Sequence, residues 1–201
     1  MAAVEMALIA PLLIMMCFGA IEVGMLFRAS ITAQNIVRSA ARAASTGGRT
    51  ADYQALLSIR DSAGAAFLTE VPARVEKIII FNASTSSVVP TSCWTASVAG
   101  VCNTYTGNFV GTMAIPTGGV LPSPNPVYAN ESVSATTCSG ASAAIDKAWC
   151  PATRGNDLSA IAGTDYVGIA IRYRHSSITG FLFNNKTIAV QSIIKIEPKD
   201  S

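Results

Sequence analysis

Residues 6–27 are an apolar run of 22 carrying one charge, Glu22. As a helix rising ~1.5 Å per residue, the run spans roughly 33 Å, enough to cross the hydrocarbon core of a bilayer. Pro11 is compatible with that, because membrane helices tolerate proline where neighbouring groups satisfy the freed carbonyl. A cleaved signal peptide fits poorly. No basic segment precedes the run, it is too long for a signal-peptide core, and the apolar pattern continues into helix instead of a cleavage site. A chain built on such a segment must hand it to lipid or to other protein.

Glu5 stands at the lip of this run. A carboxylate there is costly to desolvate and calls for a partner. The stretch Ala2-Ala3-Val4-Glu5-Met6-Ala7-Leu8-Ile9-Ala10-Pro11-Leu12-Leu13 resembles the start of TadE-like pilins, of the tight-adherence branch of the type IV pilus superfamily. Those begin with an acid at the fifth position, an Ala-Leu pair, then Pro-Leu-Leu. Gly19-Ala20-Ile21-Glu22-Val23-Gly24 is similar to the family's second landmark, a glycine-bracketed acid late in the helix. The closing Ile193-Ile194-Lys195-Ile196-Glu197-Pro198 is similar to its terminal strand. The resemblance implies that Met1 follows a prepilin cleavage site. It also implies a prepilin peptidase and pilus assembly machinery as partners. Met1, Glu5, Pro11, Glu22 and Arg28 become the assembly candidates.

Charge placement poses a separate problem. No Lys or Arg precedes the run, whereas Arg28, Arg38, Arg42 and Arg49 follow it. Read alone, that bias puts the C-terminal part in the cytoplasm. The cysteines argue for the outside, and loss of a basic leader reconciles the two.

Five cysteines divide into one and four. Cys17 lies in the apolar helix and reads as a small core residue without a redox role. Cys93, Cys102, Cys138 and Cys150 fall in the irregular middle of the chain. An even number there, beside a membrane-crossing helix, reads as two disulfides made in an oxidising compartment. Three pairings are open. The local ones, Cys93–Cys102 and Cys138–Cys150, are favoured because each ties down its own loop, stabilising it by roughly 2–3 kcal/mol. A zinc site has the wrong spacings, and the single histidine is His175.

The predicted fold is α+β: a long protruding N-terminal helix, a second helix and a small antiparallel sheet with a long disulfide-tied insertion. Ala29, Ala33, Ile36, Val37, Ala40 and Ala44 continue the first helix as one apolar stripe to about Ser45, opposite Asn35, Arg38 and Arg42. Thr46-Gly47-Gly48 ends it. A second helix is expected over 51–68, with Thr50 as N-cap and Tyr53, Leu56, Leu57, Phe67 and Leu68 as apolar members. Strands are expected over 74–81, 166–174 and 187–197. In the second, Val167, Ile169, Ile171 and Tyr173 alternate with Arg172 and Arg174. The third places Ile188, Val190, Ile194 and Ile196 on one face. Such alternation predicts a sheet packed on one side and wet on the other. The domains are thus 1–45, a transmembrane or filament-core helix, and 46–201, a globular head.

Residues 84–164 read as a surface-decorating insertion, rich in Ser, Thr, Gly and Pro, with room for a few short strands. Asn-x-Ser/Thr triplets mark Asn82, Asn130 and Asn185 as glycosylation candidates. Residues 178–183 are an oddly apolar loop between strands. Phe181, Leu182 and Phe183 either fold back onto their own subunit or form a contact for the next one.

Chemistry is sparse. The sequence has one histidine, no phosphate-cradling loop and no nucleophile elbow, which leaves no support for an enzyme, a cofactor or a catalytic residue. Asn156, Asp157 and Asp165 match no calcium loop and read as loop solvation, so no metal is expected. A net charge of +2 without a basic stripe excludes a nucleic-acid footprint. Only 13% of residues are charged, as suits a subunit that hides surface against copies of itself. Two function classes remain. One is a pilin that starts in the inner or cytoplasmic membrane and polymerises into an extracellular filament for adhesion, as main or minor subunit. The other is a monomeric anchored domain that binds an extracellular ligand. In the filament, Glu5 pairs with the α-amino group of a neighbour's first residue. Glu22 either meets a neighbour's Arg28 or Gln34, or bonds within its own helix.

Overall fold

A computed structural model describes residues 2–46, 48, 50–65, 75–106, 114–115, 119–120, 138, 146–156, 163–175 and 186–198. The first helix, α1 (Ala2–Ser45), runs unbroken through Pro11, whose missing N–H leaves the Ala7 carbonyl without its helical donor. Gly48 takes a left-handed φ of 83°, and α2 (Ala51–Ala65) turns back along α1. Ser39 and Ser58 hydroxyls meet at 3.0 Å between the two helices. Phe67 and Leu68, expected at the end of the second helix, lie outside the described residues.

Four strands form one antiparallel sheet in the order β2-β1-β5-β6: β1 (Val75–Asn82), β2 (Cys102–Thr106), β5 (Tyr166–His175) and β6 (Lys186–Lys195). A minimal hairpin, β3 (Ala114–Ile115) with β4 (Gly119–Val120), stands apart within the insertion. The three expected strands are present within a residue or two of their expected limits. The edge strand β2 belongs to the insertion and pairs Lys77–Phe81 with Thr106–Cys102.

Alternation sends Val167, Ile169, Ile171 and Tyr173 of β5, with Ile78 and Ile80 of β1, toward the helices. There they meet Ala29, Ala33, Ile36, Val37, Ala40 and Ala44 of α1, and Tyr53, Leu56 and Ile59 of α2. Alanines on α1 let the helix lie close to the sheet, and long β-branched strand residues fill the space between. At the far end the chain closes on the helix terminus. The Glu197 N–H donates to the Ser45 carbonyl at 2.8 Å, and Ser45 Oγ donates to the Arg42 carbonyl, satisfying acceptors that a helix end otherwise leaves open.

Two expectations need correction. The outer sheet face is not wholly wet. Ile79, Phe81 and Ala170 form a second small core with Val89, Cys93 and Cys102. The insertion folds back over that face through the 3₁₀ turn Thr91–Trp94. Hence β1 is isoleucine-rich on both sides, as strands buried on two faces are. Gly168 lies opposite Phe81 in the register, and a Cβ there would come within 2.3 Å of the Phe81 ring. Cys17, expected as a core residue, is exposed, because that part of α1 leaves the head altogether.

Candidate assembly surface

The N-terminal half of α1 carries its apolar side chains on every side. Met6, Leu8, Ile9, Leu12, Leu13, Ile14, Met15, Met16, Phe18 and Ile21 are all more than half exposed, Leu8 at 75%. The helix is long and apolar enough to cross a membrane. Its polar punctuation is Glu5, exposed near the start, and Arg28, exposed where the helix joins the head. Pro11 lies within the exposed portion.

Glu22 behaves differently from the run around it. It is 2% exposed, while Ile21 beside it is 55% exposed. The helical repeat explains this. Residues 22, 29, 33 and 40 fall within a narrow arc at 3.6 residues per turn, and Ala29, Ala33 and Ala40 all face the head. Glu22 is therefore the first residue of the head-facing stripe and is enclosed by its own chain. Its position in the apolar run concealed this, because every neighbouring residue there is apolar whichever way it faces.

Both disulfides pair locally, Cys93–Cys102 and Cys138–Cys150, as spacing favoured. The first clamps the 3₁₀ turn Thr91–Trp94 to the start of β2. The second brings Cys138 to the segment that returns to the body at residues 146–156. Of the glycosylation candidates, Asn82 ends β1 and accepts the Ser84 N–H through Oδ1 at 2.9 Å. Asp165 Oδ2 accepts the Gly155 N–H at 2.7 Å, and its Oδ1 accepts the Ser84 hydroxyl at 3.2 Å, which is loop-fastening geometry. Met1, Asn130, Asp157, Phe181, Leu182, Phe183 and Asn185 lie outside the described residues.

The reading of the sequence missed a buried polar network. Asp52, at the start of α2, pairs with Arg154 at 2.6 Å, both side chains almost wholly buried. Its other carboxylate oxygen accepts from Asn103 Nδ2 at 2.9 Å and from the Tyr105 hydroxyl at 3.2 Å, both on β2. Asn103 also donates to the Trp149 carbonyl at 2.8 Å and accepts the Trp149 N–H at 2.9 Å. The Arg154 guanidinium stacks 3.8 Å above the Trp149 ring, a favourable cation–π arrangement. These contacts fasten the return of the insertion between α2 and the sheet edge. A signal did exist. Asp52 shares the spacing of Ala55, Leu56 and Ile59, one buried helical stripe, and a charge on such a stripe demands a buried partner.

Where the head begins, Tyr173 lies against α1 beside Ser30, and burial pushes its phenol above the ordinary 10.0, partly opposed by the Ser30 side chain. Among the described residues, no group of His, Cys, Asp and Glu is placed to hold a metal.

No curated protein and no solved structure matches the chain. The described features are a helix half sheathed by a small head and half bare, with an acid near its start. Residues 1–42 match the family model described as TadE-like protein, the family that the Glu5-to-Leu13 motif resembles.

Proposed function

We propose that this chain is a pilin subunit that polymerises through the N-terminal half of α1 into an extracellular tight-adherence filament. The TadE-like match supports a structural protein associated with that pilus. The observation that carries the finer reading is the bare half of α1. Its ten apolar side chains, all more than half exposed, need lipid before assembly and the helices of other copies after it. A monomeric anchor needs the lipid alone and has no use for an acid at position 5.

In this reading the subunit waits in the cytoplasmic membrane with its head outside, and the family resemblance implies a prepilin peptidase among its partners. Glu5 then pairs with the α-amino group of a neighbour's first residue, which offsets a desolvation cost of several kcal/mol. Arg28 marks the lip at which the head begins. The two disulfides and the buried Asp52–Arg154 pair keep the head rigid as the rod changes surroundings, and the filament serves surface attachment. The test is to shear extracellular filaments from cells, image them and identify their most abundant protein by mass spectrometry. Filaments built mainly of this chain support the reading. Filaments that lack it, with the chain found only in membranes, overturn it.

A further inference from the structure

The buried network of Asp52 and the two disulfides meet at one point. Asn103 follows Cys102 on β2, and Trp149 precedes Cys150. Between them the Asn103 side chain pairs as a strand backbone does. Its Oδ1 accepts the Trp149 N–H at 2.9 Å and its Nδ2 donates to the Trp149 carbonyl at 2.8 Å. The same carbonyl accepts from Arg154 Nη2 at 3.0 Å, and the Gly100 N–H donates to the Ala148 carbonyl at 2.7 Å. Asp52 of α2 completes the ring through Arg154 and Asn103. The segment 146–154 is thus a wedge that carries the countercharge of a buried acid of α2. One end of it is fixed to the start of β5, where the Asp165 N–H donates to the Gly155 carbonyl at 2.8 Å and the Gly155 N–H to Asp165 Oδ2 at 2.7 Å. The other end is tied by Cys138–Cys150. The two disulfides differ in access. Cys93 and Cys102 are 0% exposed inside the core of the outer sheet face, whereas Cys138 and Cys150 are 6% and 9% exposed. Alternation along β2 turns Cys102 into that outer core and Asn103 and Tyr105 toward α2.

We propose that Cys138–Cys150 is a redox-controlled lock on the first turn of α2, working through the wedge and its Arg154. The inference stands apart from the pilin reading. Coupling between two sites is reciprocal, so whatever the network contributes to holding Cys150 beside Cys138, the disulfide returns to the network. Reduction begins when the thiolate of an external dithiol attacks one sulfur of the bond, giving a mixed disulfide. The dithiol's second sulfur then displaces the protein. Two electrons and two protons pass to Cys138 and Cys150, which leave as thiols, and the dithiol becomes a disulfide. The wedge is then held from one end. Trp149 leaves first, taking with it the carbonyl and the ring that keep the guanidinium in place, and Arg154 follows. Asp52 is left as a buried charge without its countercharge, a costly state, and the first turn of α2 opens to water. A disulfide oxidant that accepts the two electrons and two protons runs the same steps backwards and closes the lock.

The test equilibrates the full chain, in detergent, with dithiothreitol buffers of graded reduced-to-oxidised ratio. Free thiols are trapped by alkylation, and each cysteine is followed by mass spectrometry. Asp52→Asn and Arg154→Gln should each lower the ratio that half-reduces Cys138–Cys150 by about tenfold, within the usual range of coupling, and move that of Cys93–Cys102 by less than about twofold. In the reverse direction, the Cys138→Ser, Cys150→Ser variant should exchange backbone hydrogens about tenfold faster over residues 51–59 as well as over 146–154, with 167–173 of β5 unchanged. That variant keeps every residue of the network, so it decides the matter even where Asp52→Asn fails to fold. An unmoved ratio for Cys138–Cys150 overturns the proposal, as do equal shifts of both disulfides, which mean a general loss of stability. Faster exchange confined to 146–154 in the serine variant also overturns it, because the disulfide then ties only its own loop. Filament yield plays no part in either measurement, so failure here leaves the pilin reading untouched.

Discussion

The two halves of α1 share one unbroken helix, yet their surroundings are opposite. In the first half, Leu8, Leu12, Leu13 and Ile14 are bare. In the second, Ala33, Val37 and Ala40 are wholly buried. The difference lies in arrangement and size. Large apolar residues on every side give a surface that a single small head cannot cover, which is the pattern of a helix meant for lipid or for copies. Small residues on one stripe, with Arg38 and Arg42 opposite, give a helix that a sheet can approach closely. Glu22 marks the changeover, because it is the first residue that the head encloses.

If that division is real, substitutions should separate cleanly by half. The largest effect is expected in the head. Asp52→Ala strands the Arg154 guanidinium and removes the acceptor of Asn103 and Tyr105. It should cost about 3–5 kcal/mol, read as a lower denaturation midpoint of the full chain in detergent. Next, Ala40→Leu pushes three extra carbons into the helix–sheet contact and should cost about 1–3 kcal/mol. Its counterpart on the bare half, Leu13→Ala, should shift the same midpoint by less than about 0.5 kcal/mol. Equal losses from the two would break the comparison.

The smallest effect is a pH dependence. The Tyr173 phenol is raised above 10.0 by burial, so the folded state holds that proton more tightly than the unfolded chain. The stability it contributes is fully present below about pH 10 and is lost as pH climbs from there through the folded value. Tyr173→Phe should therefore flatten the alkaline limb of a stability–pH profile relative to the parent. An unchanged limb would mean that Tyr173 is not the buried acid at the helix–head contact.

What the sequence disclosed followed from periodicity and spacing. The apolar run and the alanine stripe delimited α1, and β5 and β6 alternate plainly from Val167 to Tyr173 and from Ile188 to Ile194. Nine and twelve residues separate the paired cysteines, short enough for local closure to dominate. The insertion was opaque for the opposite reason. Its Ser- and Thr-rich stretches have no period, so β2 and the cover over Phe81 left no pattern. Asp52 and Arg154 are partners across about a hundred residues, joined by a fold that neither one's neighbours reveal. The burial of Glu22 was not legible, because an all-apolar segment hides which of its faces turns toward the head.

The central claim, that the bare half of α1 exists to meet copies of itself, is tested most directly by Glu5→Ala. The measurement is the yield of extracellular filaments from cells making the variant, alongside the amount of membrane-inserted, disulfide-bonded subunit. Glu5 is exposed and far from the head, so insertion and folding should match the parent while filaments become scarce. Normal filaments from Glu5→Ala would contradict the account.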